Sequence, residues 1–481
     1  MSKFQSIAKD TAIYGLPSIV GRFLNYLLVP LYTHVIPVAT GGYGVITNFY
    51  AYTALILVIL TFGMETTFFR FANKEGENPH TVFSTTFIVV TGLSVVFLAL
   101  VAAFIQPIGH ALGYDQHHEY ILMMSLVVAL DAVQAIPFCH LRYQQKALKF
   151  AALKMLFMVL NIGLNLLFFL LLGKDDVFYV FALNLICTST ITFFFLPEFL
   201  KVRWHFDVAL LRRMLSYSWP ILVLGIAGIL NQAADKMIFP HVYPDREQGV
   251  RELAVYGGCV KIAMIMAMIT QAFRYAYEPF VFAQGRGKGQ NETYALGMKY
   301  FLIFTLLAFL CVMGWLPLLR YMVGSDYWEG LRVVPIVMAA EIMMGIYFNL
   351  SFWYKLIDRT IYGAWFSLAG CTVLLAVNLW GIPRYSYMAC AWGGFAGYAT
   401  AMLLSYFIGQ KKNPIPYPLK DMAMYTLFAL VLYLVMEFVP DTWPVALRLA
   451  VNTLLILIFL FRIVRRDLPL RSLPLIGKYF R

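Results

Sequence analysis

Charge is what this chain of 481 residues has least of: Asp, Glu, Lys and Arg make up 13% of it, where a soluble domain carries about 25%. A soluble chain of this length would split into several cores with charged shells between them, and no such shells are present. The six cysteines (Cys139, Cys187, Cys259, Cys311, Cys371, Cys390) lie in or at the ends of apolar runs, and none forms a C-x-x-C pair. Neither a disulfide framework nor a zinc site is indicated. There is no phosphate-binding loop either: Gly285-Arg-Gly-Lys-Gly289 lacks the G-x-x-x-x-G-K-[ST] spacing and a preceding strand. His110, His117 and His118 share one loop without helical spacing or cysteines, so no metal site is expected. The N-terminus shows no cleavable signal; Lys3 and Lys9 precede a retained first helix. Long polar insertions are missing as well.

What remains is apolar. The AVILMFWYC set accounts for 61% of residues, and the mean hydropathy is +0.73. A helix needs about 20 apolar residues to cross the hydrocarbon core. That length recurs fourteen times, near 11–34, 44–65, 81–106, 119–140, 151–172, 177–196, 215–240, 253–283, 297–319, 331–353, 361–381, 386–409, 420–438 and 443–463. The eighth is long enough to project from the bilayer or to bend. The expected fold is therefore an all-α polytopic membrane protein of about fourteen transmembrane helices.

The net charge of +12 does not indicate nucleic acid, because the basic residues cluster in loops between the spans, as membrane orientation requires. With the N-terminus in the cytoplasm, 27 of the 37 Lys and Arg residues fall at cytoplasmic helix ends. Both termini are then cytoplasmic, and residues 413–481 hold helices 13 and 14 plus a basic cytoplasmic tail.

The chain also repeats itself. Tyr14-Gly-Leu-Pro17 in the first span is matched by Tyr217-Ser-Trp-Pro220 in the seventh, and Phe69-Arg70-Phe71-Ala72 by Phe273-Arg274-Tyr275-Ala276. A third pair, Tyr43-Gly44 and Tyr256-Gly257, is out of register. Repeated halves are common in transporters. They place an N-terminal lobe at 1–205 (helices 1–6) and a C-terminal lobe at 206–412 (helices 7–12).

Leu28-Val-Pro-Leu-Tyr32, Tyr43-Gly-Val-Ile46 and Gly63-Met-Glu-Thr-Thr-Phe-Phe-Arg70 resemble the N-terminal signature of the polysaccharide-biosynthesis flippases. These belong to the multidrug/oligosaccharidyl-lipid/polysaccharide (MOP) exporter superfamily, which also holds the MATE-type transporters. The resemblance implies two pseudo-symmetric six-helix lobes around a central cavity, with two added C-terminal helices. It also implies carriage of undecaprenyl-pyrophosphate-linked oligosaccharide, as for lipopolysaccharide or capsule, to the outer leaflet of the bacterial inner membrane by alternating access. The implied partners are the lipid-linked oligosaccharide, membrane lipids, and the glycan polymerase and glycosyltransferases of the same pathway. No cofactor is expected beyond a coupling proton or sodium ion. Alternatives are a flippase for the peptidoglycan precursor lipid II and a proton- or sodium-coupled multidrug antiporter. A membrane glycan polymerase or ligase would need a long outer loop, and the connection near 238–252 is too short.

Charged groups inside a bilayer cost about 2.5–3.5 kcal/mol each on insertion scales, so each needs a reason. Ser18, Arg22 and Asn25 form one stripe on the first helix. Arg22 is either an anchor for pyrophosphate, which guanidinium grips bidentately, or the partner of an intramembrane carboxylate. On span eight, Lys261, Met264, Met268, Gln271, Tyr275 and Glu278 recur at helical spacing. Lys261 either brackets a diphosphate with Arg22 or snorkels to the interface. Arg70 and Arg274 occupy matched cytoplasmic helix ends, as headgroup contacts or as guards of the cavity mouth. Asp131, Asp235, Glu341 and Glu65 are either ion-coupling carboxylates or neutralising partners of these cations. Asn161 and Asn165 fit interhelical hydrogen bonding.

Overall fold

The computed structural model describes residues 28–200, 206–283, 290–356, 359, 361–440 and 442–467. Among them every regular element is helical. Twelve helices are long and apolar enough to cross a membrane. Two further stretches fill out the fourteen expected spans. One is 28–35, the described end of the first; the other is the glycine-rich helix Tyr387–Lys412. The protein is a multi-pass α-helical membrane protein.

The helices group into two compact units, Met1–Ala254 and Val255–Arg481. The first unit comprises α1 (28–35), α2 (Gly42–Thr61), α3 (Met64–Ala72), α4 (Pro79–Ala103), α5 (Ile105–Leu112), α6 (His118–Tyr143), α7 (Ala147–Leu166), α8 (Val177–Phe194), α9 (Leu196–Leu200) and α10 (Val208–Val242). α11 (Arg246–Ala283) crosses the division. The second unit continues with α12 (Gln290–Gly314), α13 (Leu316–Leu319), α14 (Val334–Leu350), α15 (Phe352–Leu356), α16 (Ile361–Tyr385), α17 (Tyr387–Lys412), α18 (Leu419–Glu437) and α19 (Val445–Arg466).

Local signals explain where several helices start. Asn78 accepts a hydrogen bond from the His80 amide at 2.9 Å, with Pro79 at the first helical position of α4. Asp176 and Asp207 cap α8 and α10 through the Phe178 and Leu210 amides. Each capping side chain satisfies an N–H that has no partner within its helix. Helix exteriors carry exposed apolar residues such as Val95, Val96, Leu457 and Phe461, the surface expected against lipid tails. α10 and α11, at 35 and 38 residues, are much longer than a bilayer crossing requires.

The core of the first unit joins Leu60, Met64 and Phe68 to Val82, Phe87, Ile136 and Met214. It is built around a break the hydropathy did not reveal. Phe62 and Gly63 both adopt left-handed backbone (φ 49° and 66°), which ends α2 and starts α3. A Cβ at Gly63 would stand 3.0 Å from Ile221 Cγ2 and 3.1 Å from the Ser218 carbonyl oxygen on α10. Backbone conformation and close packing therefore both demand glycine here. Gly63→Ala is expected to destabilise the protein by about 1–2 kcal/mol, read as a lowered melting temperature in detergent.

In the second unit α16 and α17 form a tight hairpin linked by Ser386 alone (φ 51°). At their contact a Cβ on Gly370 would lie 2.7 Å from the Gly397 carbonyl oxygen, and one on Gly397 2.8 Å from that of Gly370. Such reciprocal small-residue contacts let helix backbones meet within a membrane.

Candidate functional site

The break at Phe62–Gly63 places Glu65 in the first turn of α3, where it accepts a hydrogen bond from the Cys139 thiol of α6 at 3.7 Å. Asp131 lies eight residues before Cys139, on the same face of α6. Lys154 enters from α7, two turns inside that helix. Its ammonium rests 4.0 Å over the Phe138 ring and within electrostatic reach of both Asp131 and Glu65. Tyr50 of α2 stands near Asp131 and accepts a 2.9 Å hydrogen bond from Asn184. Glu65 and Lys154 are exposed and Asp131 is half-buried, so the cluster is open rather than sealed in packing. Two carboxylates and one ammonium, held on three helices at membrane depth, form an arrangement suited to exchanging a proton or a cation.

Lys154 was not singled out from sequence. Counting each cation to its nearest helix end assigns it to the loop at 144–146, whereas the fold turns it inward. The available signal was its position seven residues into a helix, opposite the Asp131 span.

In the second unit Lys261, Met264, Met268 and Gln271 of α11 are half-exposed, while Cys259, Ile262, Ala263 and Met266 are buried. From Ala267 to Gln271 every residue is half-exposed, so burial does not set the stripe apart there. The side chains of Tyr275 and Glu278 lie outside the described residues. Arg274 sits 3.9 Å over the Phe348 ring, and Lys355 lies 4.5 Å from the same ring. Glu341 is half-buried on α14, two turns before Phe348.

Arg70, the counterpart of Arg274 in the repeat, also stacks on an aromatic ring: Tyr217 at 4.0 Å. Cation–π stacking holds both guanidiniums, Arg70 in the last turn of α3 and Arg274 well inside α11, and Tyr217 belongs to the other repeated motif. Asp235 is 6% exposed and accepts two hydrogen bonds from the adjoining Lys236, at 2.9 and 3.0 Å. Asn165 donates to Asn161 at 2.7 Å and accepts from Tyr32 of α1 at 2.7 Å, so this pair joins helices. Ser18, Arg22 and Asn25 lie outside the described residues. Among the described residues no group of three His, Cys, Asp or Glu side chains is placed to hold a metal ion, and none of the six cysteines is in a disulfide.

Residues 39–330 match the family described as "Polysaccharide biosynthesis protein". No curated protein matches the sequence. Among solved structures the chain is similar to the lipid II flippase MurJ in an inward closed conformation. The TM-score is 0.75 at 15% identity, with 94% of this chain and 98% of that one covered. It is also similar to an inward-facing multidrug resistance transporter of the MATE family within the MOP superfamily (TM-score 0.63, 14% identity, 84% and 98% covered). A MOP superfamily transporter from Pyrococcus furiosus shares the fold as well (TM-score 0.55, 14% identity, 84% and 95% covered).

Proposed function

This chain belongs to the polysaccharide biosynthesis protein family, and we propose that it is a flippase moving undecaprenyl-pyrophosphate-linked oligosaccharide from the cytoplasmic to the outer leaflet. The observation that carries the reading is a cation and an amide, Lys261 and Gln271, both half-exposed on the membrane helix α11. A diphosphate headgroup presents the charge complementary to an ammonium at membrane depth, while the isoprenoid tail stays among lipid tails. Gln271 offers hydrogen bonds to sugar hydroxyls, and the two methionines between give an adaptable apolar wall. Arg22, with Ser18 and Asn25, acts as the second cationic contact. Arg70 and Arg274, at matched positions of the repeat, draw the anionic headgroup in.

The protein works as a transporter, not as an enzyme, in the bacterial inner membrane with both termini in the cytoplasm. The lobes 1–205 and 206–412 rock to expose the bound headgroup to one side and then the other. Glycosyltransferases supply the substrate, a glycan polymerase consumes it, and a proton or sodium ion exchanged at the carboxylates couples the cycle.

The test is translocation of fluorescent undecaprenyl-pyrophosphate-linked oligosaccharide in reconstituted vesicles. Wild type is expected to translocate it, and Lys261→Ala and Arg22→Ala to lose about 10-fold or more of the rate, as for loss of a charge-assisted contact. Wild-type transport of lipid II alone would favour the second reading, for which the likeness to MurJ gives structural grounds. Efflux of organic cations with no lipid transport would sink both.

A further inference from the structure

The second unit has a pocket that the proposed transport site does not use. It is about 340 Å³ in volume and lies where α12, α14, α18 and α19 end or begin. Lys299 and Arg466 mark the opposite ends of α12 and α19, the end that the charge bias assigns to the cytoplasm. The pocket therefore faces outward. Only ten of the 37 Lys and Arg residues fall outside the cytoplasmic set, yet Arg320, Arg332 and Arg448 of those ten line this one pocket. The lining includes one carboxylate, the exposed Glu437, and Arg332 pairs with Glu329 beside it.

Guanidiniums lining one cavity favour an anion within it, which they can bind bidentately. Two of the lining residues also have unmet hydrogen-bonding capacity. Arg320 Nε is buried without a hydrogen-bond partner, and so is the Oδ1 of Asn452, a residue 3% exposed. Asn452 is held in place by donating through Nδ2 to the Gly314 carbonyl at 2.8 Å. Arg320 lies 4.4 Å from the Trp328 ring, whose Nε1 donates to the Arg320 carbonyl at 3.0 Å. Arg332 donates to the Tyr387 hydroxyl at 2.8 Å and pairs with Glu329 at 2.9 Å. The pocket is thus preorganised by contacts outside it, and unmatched buried polar atoms are costly when left so.

We propose that this pocket binds a lipid-borne phosphate at the outer membrane surface. The phosphoryl oxygens accept from the arginines, bidentately where the fork allows. A hydroxyl of the headgroup donates to Asn452 Oδ1. The lipid assignment comes from depth. Trp315 and Tyr321, next in the chain to the lining residues Leu316 and Arg320, are 44% and 53% exposed. Exposed Trp and Tyr mark the headgroup level of a bilayer. Met313 and Met436 give the pocket an apolar floor. The phosphate comes from a resident anionic phospholipid or from a pyrophosphate lipid in the outer leaflet. The inference concerns binding only and stands apart from the translocation reading.

The test measures binding to the purified full-length protein in detergent by native mass spectrometry. The probes are phosphatidylglycerol, undecaprenyl pyrophosphate and inorganic pyrophosphate, and the variants are Arg320→Gln and Arg448→Gln, singly and together. Arg384→Gln, an outer arginine on the exposed end of α16, is the control. Each pocket substitution is expected to weaken lipid binding about 10-fold, with monodispersity and melting temperature retained, while the control leaves it unchanged. Loss confined to phosphatidylglycerol identifies a phospholipid, and loss confined to undecaprenyl pyrophosphate identifies the isoprenoid lipid. Wild-type affinity for both lipids in every variant would overturn the proposal, as would inorganic pyrophosphate binding as tightly as either lipid.

Discussion

Replacing Lys299 by Ala is expected to cost the protein about 3–5 kcal/mol of stability, the usual consequence of removing one partner of a buried ion pair. Lys299 lies on α12 with its side chain 11% exposed. Its ammonium donates to Asp421 of α18 at 2.9 Å and to Asp467, just beyond the end of α19. Asp467 is 7% exposed and also accepts from the Tyr425 hydroxyl. Arg466 closes the group on Asp421 at 2.8 Å. Without Lys299, the Asp467 carboxylate would stay buried beside one neutral donor, and α18 and α19 would lose their polar tie to α12. The double variant Lys299→Met/Asp467→Asn removes both charges and is expected to recover much of the loss. Melting temperature in detergent, with the two single variants and the double in one cycle, measures the coupling. Additive losses would show that the pair contributes no coupling energy.

The second large effect concerns Lys154. Its ammonium is the cation that approaches both Asp131 and Glu65, so Lys154→Met removes the positive charge that the two carboxylates share. Transport is expected to fall on the order of 10-fold or more, the range of a coupling worth 1–3 kcal/mol, with less change in stability because Lys154 and Glu65 are exposed. Lys154→Arg keeps the charge and should keep most of the rate. The pH dependence of translocation is the discriminating readout, because a merely structural lysine would lower the rate without moving the profile. An unchanged rate and profile in Lys154→Met would remove the cluster from the transport cycle.

Several of these features could be read before any coordinates and several could not, for physical reasons. Span number was legible because each crossing must be apolar over its full length, and even α17, diluted by glycines, falls among the fourteen apolar windows. Hydropathy carries no direction, however, so the Phe62–Gly63 break was invisible inside an apolar run. Its cause is the close approach of Ser218 and Ile221, more than 150 residues away in the chain. The same limit hid the Lys299–Asp467 tie, whose members are 168 residues apart. Lys154 was misplaced because a loop count treats every cation near a helix end as solvated. The α11 stripe is visible in sequence because periodicity is local, but burial tracks it only as far as Met266. The outer arginines were noticed from sequence only as exceptions to a bias; what they line is a matter of tertiary structure.

The hairpin of α16 and α17 has a mechanical consequence. Two helices of 25 and 26 residues joined by one residue, and in backbone contact at Gly370 and Gly397, share almost no internal degree of freedom. Any conformational cycle must carry them as a single lever. The angular change is then absorbed beyond the lever, as at 413–418, where a short non-helical segment follows α17. Stiffness at the hairpin and compliance at that segment define one place where the second unit can bend.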